Sequence, residues 1–64
     1  MPNVSNNRVA RACRKLVMLA ANGFDVTDLA REVVTQSTFG DAENIRHACL
    51  SVDAAEISWR SHRG

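Results

Sequence analysis

Apolar residues recur along this chain in three stretches at helical spacing. In the first, Val9, Cys13, Leu16, Val17 and Ala20 form one stripe, and the spacing predicts a helix from about residue 5 to residue 22. Ser5 or Asn6 is placed to cap its start, because a short polar side chain accepts from a free backbone N–H of the first turn. Asn22-Gly23 is placed to end it, since Gly takes the left-handed conformation without steric cost. In the second stretch Val26, Leu29, Ala30, Val33 and Val34 follow i, i+3, i+4, i+7, i+8, which predicts a helix from Val26 to about Gln36. Asp25 reads as its N-cap, Asp28 as the third position of an arrangement close to a capping box, and Phe24 with Leu29 as a hydrophobic staple. The β-branched run Val33, Val34 and Thr35 weakens its end, and Ser37-Thr38-Phe39-Gly40 reads as a loop.

In the third stretch Ile45, Ala48, Cys49, Val52, Ala55 and Trp59 share one helical face, and Asp41 is placed to cap a helix beginning at Ala42. The pattern permits a single helix from 42 to about 60. Asp53 and Glu56 also permit a new capping box, and the preferred reading is two short helices with a tight turn near 51–53. The expectation is therefore a small all-α domain of three or four helices, with residues 1–64 as one unit and residues 1–4 and 61–64 frayed. Its expected core is Val9, Cys13, Leu16, Val17, Ala20, Leu29, Val33, Ile45, Cys49, Val52 and Trp59. Trp59 reads as the large anchor, and Met18 and Leu19 fall outside the main stripe.

Composition narrows the class. A chain near 60 residues buries only about 60% of its unfolded surface, so it folds as one marginal domain. At 45% hydrophobic and 23% charged residues, this one is too apolar for disorder. The longest apolar run, residues 16–21, falls far short of the roughly 18 residues a membrane span needs, and residues 1–8 lack the apolar core of a signal peptide. A cytoplasmic protein is expected, with Cys13 and Cys49 as reduced thiols in the core.

The net charge of +1 hides an asymmetry. Residues 1–24 carry Arg8, Arg11, Arg14 and Lys15 and no acid. All 7 acids, Asp25, Asp28, Glu32, Asp41, Glu43, Asp53 and Glu56, lie within residues 25–56, opposed there only by Arg31 and Arg46. Asp25, Asp28 and Glu32 are spaced i, i+3, i+7, which sets them in a row about 10 Å long on one helix face. Acids in first helical turns also stabilise a helix by opposing its N-terminal partial charge, and six of the seven lie near proposed starts. Glu32 does not.

Catalytic and metal chemistry find little purchase. His47 and Cys49 are two apart and point to different sides of a helix, and no C-x-x-C or H-x-x-x-H spacing occurs. There is no Gly-rich phosphate loop. A non-enzymatic protein without cofactor or metal is expected.

Thr27-Asp28-Leu29-Ala30-Arg31-Glu32 resembles the first helix of a DNA-binding helix-turn-helix. The would-be reading helix then begins with Asp41 and Glu43, two carboxylates where base edges and phosphates would have to be met. If the chain touches DNA, the first helix is the better surface, through Arg8, Arg11, Arg14 and Lys15. The leading expectation uses the acids instead. In its size, its lack of catalytic motifs and its acidic helix faces, the chain resembles the small phage-encoded anti-CRISPR proteins. That resemblance implies a protein inhibitor acting in a bacterial host cell. Its acids Asp25, Asp28, Glu32, Asp41, Glu43, Asp53 and Glu56 would mimic DNA and occupy a basic nucleic-acid-binding surface, such as that of a CRISPR effector complex. A DNA-binding regulator using the first helix is the alternative, and a homodimeric module pairing surplus apolar surface is a second.

Overall fold

The structure, a computed structural model, describes residues 4–63, and side chains within it for residues 7–62. Residues 1–3 and 64, part of the expected frayed ends, lie outside it. Among the described residues three helices make up the fold: α1 Val4–Ala21, α2 Thr27–Phe39 and α3 Ala42–Arg63. No strand occurs among them. The domain is all-α, and of the three or four helices expected it has three.

Its start at Val4 puts α1 upstream of both Ser5 and Asn6, so neither residue is positioned as its N-cap. Its end follows the expected chemistry. Gly23 has φ +89°, Phe24 N donates to Leu19 O at 3.0 Å, and Gly23 N donates to Ala20 O at 3.0 Å. These two bonds are the Schellman pattern, which satisfies carbonyls the helix leaves free. Phe24 is used here as the residue after the left-handed turn. It is not the first half of a staple, because Val26, not Asp25, is the N-cap of α2. Asp25 accepts from Thr27 N at 3.0 Å instead, one position early, and Asp28 becomes the second helical residue.

Past Gln36, α2 continues into the expected loop. Ser37 Oγ and Thr38 Oγ1 both donate back to Val34 O, which lets these residues stay helical despite their poor propensity. Gly40 then ends the helix in an extended conformation, ψ 162°, and leaves no room for a side chain, since a Cβ there would stand 2.8 Å from Gln36 O. Asp41 caps α3 as expected, accepting from Asn44 N at 2.9 Å.

The break expected near 51–53 does not occur, and α3 is one helix of 22 residues. Ser51 Oγ donates to His47 O, bonding back along the same helix instead of opening a turn. Val52 is fully buried, and the Asp53 carboxylate is taken by Lys15 of α1, so neither is available to start a new helix. Residues 61–63 are helical, not frayed.

The two short connections fold α2 back against α1 and α3 back against α2. As a result α1 and α3 run the same way. Asn7 and Arg8 share a groove with Cys49, Lys15 meets Asp53 and Glu56, and Met18 lies with Arg60. The buried core is Ala12, Leu16, Leu19, Val33, Ala48, Cys49 and Val52, flanked by Val9, Val26, Leu29, Ala30 and Ile45.

That core corrects the expected face of α1. The stripe is Val9-Ala12-Leu16-Leu19; Cys13 and Ala20 are exposed, Val17 is 71% exposed, and Leu19 is fully buried. The apolar arc of α1 is wide enough to admit either stripe; in the rotation observed Leu19 is buried and Lys15 meets α3. Trp59 is half-buried and lies outside the buried cluster, since α3 at 22 residues outruns the 13 of α2.

Candidate functional site

The groove between α1 and α3 collects most of the basic residues. Its upper part, about 400 Å³, is walled by Arg8, Arg11, Lys15 and Asp53 over a floor that includes Ala12 and Cys49. Its lower part, about 280 Å³, is walled by Arg11, Arg14, Lys15, Met18, Glu56 and Arg60. Arg11 and Lys15 belong to both parts, so the groove is continuous. Helical geometry explains the gathering: Arg8, Arg11 and Lys15 are spaced i, i+3, i+7 beside the core stripe of α1, and Asp53, Glu56 and Arg60 are spaced i, i+3, i+7 on α3.

The cations in this groove are not equivalent. Lys15 Nζ donates to Asp53 Oδ1 at 2.5 Å and stands 3.5 Å from Glu56 Oε1. The hydrogen bond to Asp53, with the nearby charges of Asp53 and Glu56, raises the Lys15 pKa above its ordinary 10.5 against the opposing effect of burial. Arg60 lies 3.5 Å from Glu56 Oε2 and remains largely exposed. Among the described residues, no ion pair engages Arg8, Arg11 or Arg14. Five cations thus share the groove with two carboxylates, and both carboxylates face the one lysine.

The 7 acids do not form one face. Asp53 and Glu56 are half-buried in the α1–α3 groove and are spent on Lys15 and Arg60, which removes them from the expected acidic patch. Asp25 and Asp41 serve backbone N–H groups at helix starts, and the bond from Thr27 holds the Asp25 carboxyl below its usual range. Glu43 accepts from Arg46 at 2.7 Å and lies 3.1 Å from His47 Nε2, and these partners, Arg46 first, lower its pKa. The remaining pair is Asp28, 97% exposed and 3.9 Å from Arg31, and Glu32, which among the described residues accepts only from Gln36.

Exposed apolar side chains are what the sequence reading missed. Phe39 is 85% exposed on α2, Val17 stands beside Cys13 and Met18 on α1, and on α3 Leu50 lines the upper part of the groove and Ile57 is exposed. Phe39 falls seven residues after Glu32 and so continues the line of Asp28 and Glu32, while Asp25 lies ahead of the helix. That spacing was readable, but placing Phe39 in a loop hid it.

Cys49 is buried and its thiol pKa is pushed up by that burial, whereas Cys13 is exposed; both are free. Among the described residues, no three His, Cys, Asp or Glu side chains group as a metal site. No helix described is long and apolar enough to cross a membrane. No family model, no curated protein and no solved structure matches this chain.

Proposed function

We propose that this chain is a small, non-catalytic nucleic-acid-binding module that holds a phosphate backbone in the α1–α3 groove. One observation carries the reading: two helices bring Arg8, Arg11, Arg14, Lys15 and Arg60 together, and three of the arginines have no carboxylate partner among the described residues. Lys and Arg on phosphates release condensed counterions, which supplies most of the affinity of sequence-independent binding. The walls described hold no aromatic side chain, so the groove offers no platform for stacking unpaired bases and suits a duplex backbone. The surface is the basic first helix extended by α3, and the acidic start of α3 takes no part. Such a regulator acts in the cytoplasm, where both thiols stay reduced.

A labelled random duplex titrated at low salt, read by fluorescence anisotropy, tests this. Binding should weaken steeply as salt rises. Replacing Arg8, Arg11 and Arg14 by Ala should flatten the log–log slope by about 0.9 for each phosphate that is no longer neutralised. A folded protein that fails to bind the duplex at low salt removes the reading.

A second reading is favoured by the outer face of α2. There Asp28 and Glu32 run in line with the exposed Phe39, so a pair of carboxylates ends in an aromatic anchor of the kind enriched at interfaces, with Asp25 just ahead of the helix. On this reading the chain is a protein inhibitor that sets the row against a basic nucleic-acid-binding surface, as the resemblance to anti-CRISPR proteins implies. A CRISPR effector complex is the partner to try first. Reversing the charges of Asp28 and Glu32 should abolish capture of the effector complex and leave the helical circular dichroism intact. Unchanged capture would discard the row.

A further inference from the structure

Lys15 lies at the middle of the groove, shared by its upper and lower parts, yet it is the one groove cation on which both carboxylates converge. Asp53 reaches it from α3 at hydrogen-bonding distance, and Glu56, one turn later, stands behind at 3.5 Å. A carboxylate bonded to an ammonium fills the same seat that a phosphate oxygen would take, because both are charged oxygen acceptors of similar reach. Leaving the groove would deprive Asp53 of its partner, and a ligand phosphate would meet its charge before meeting Lys15. The arginines are arranged otherwise. Arg8 in the upper part, Arg14 in the lower part and Arg11 in both present guanidinium groups that no internal carboxylate holds among the described residues.

Resting on the groove reading above, we infer that Asp53 is the specificity-determining residue of this surface: it occupies the central cation position as an internal stand-in for phosphate, so that the polyanion is held by the arginines on either side and not by Lys15. The groove accordingly takes an extended backbone that spans its closed middle, in preference to a compact anion that needs a central seat.

The test is a two-by-two set of variants, wild type, Asp53→Asn, Lys15→Met and the double variant, each titrated with the same random duplex across salt concentrations. Circular dichroism confirms the helical fold of each. Asn keeps the shape and the hydrogen-bonding oxygen of Asp53 and removes its charge. Asp53→Asn should leave only Glu56 opposing Lys15, steepening the log–log salt slope by up to about 0.9 and tightening binding up to about eightfold near 0.1 M salt. Lys15→Met added to Asp53→Asn should cancel the gain, with Lys15→Met alone as the reference for the double variant. An unchanged slope for Asp53→Asn, with the wild type binding, overturns the role of Asp53 and spares the groove. A gain that persists without Lys15 also overturns it, because the effect would then be general charge removal. A wild type that does not bind at low salt overturns the groove reading and this inference together.

Discussion

At the scale of single residues, the rotation of α1 decides what each apolar side chain contributes. Leu19 is fully buried and Val17 is 71% exposed, although both fit a helical stripe in the sequence. Deleting a buried leucine side chain removes its transfer energy and leaves a cavity, so Leu19→Ala should destabilise by about 2–5 kcal/mol. Val17→Ala should stay within about 0.5 kcal/mol. Urea denaturation of the two variants checks the assignment, and a larger effect for Val17→Ala than for Leu19→Ala would mean that α1 packs on the stripe Cys13-Val17-Ala20 instead. The glycine at the end of α1 was legible because positive φ has a chemical signature in sequence. Gly40 was not, because its need comes from the approach of Gln36 O, a neighbour that exists only once α2 extends to Phe39.

At the scale of elements, the uninterrupted α3 is the clearest departure from local rules. Asp53 and Glu56 carry a true capping signal, but a cap stabilises by roughly 1 kcal/mol. Burial of Val52 and the pairing of Lys15 with both carboxylates act against it from two other helices. Ser51→Pro tests the outcome. In a continuous helix Pro at 51 removes the bond to His47 O and clashes with that carbonyl, which should cost about 3 kcal/mol or more and reduce helical circular dichroism. A chain with a turn at 51–53 would tolerate it. The boundaries of α2 were misplaced for a related reason. Propensity argued for a stop after Gln36, whereas the hydroxyls of Ser37 and Thr38 bond back to Val34 O and carry the helix to Phe39.

At the scale of the whole molecule, charge is sorted by packing. The sequence shows basic residues early and acidic residues later, which suggests two faces. Folding instead brings Lys15 of the early segment onto Asp53 and Glu56 of the late one, leaving surplus arginine in the groove and surplus carboxylate on α2. The ion pair has a pH consequence. The Lys15 pKa is raised in the folded state, so its stabilisation is complete below the unfolded value near 10.4 and is lost as pH rises through the folded value. The chain has no tyrosine, so few other groups titrate there, but the buried Cys49 thiol, also raised, acts in the same direction. The melting temperature of the wild type should therefore fall above about pH 10.4 more than that of Lys15→Met. Identical alkaline profiles would show that the pair adds nothing to stability.

By itself the sequence determined the all-α class, the existence of α1 and α2, the Schellman end at Gly23 and the cap at Asp41, because periodicity, left-handed backbone and capping act within one or two turns of chain. It also displayed the Arg8-Arg11-Lys15 row and the Asp28-Glu32 pair, since spacing alone aligns residues on a helix, but not that Asp25 stands ahead of α2. Only the tertiary structure decided which stripe of α1 is buried, that α3 runs unbroken, that Arg60 joins the basic groove and that Asp53 and Glu56 leave the acidic set. Each of these depends on residues far apart in sequence meeting across a helix interface, as Lys15 and Asp53 do at 38 positions apart, and no local preference encodes that meeting.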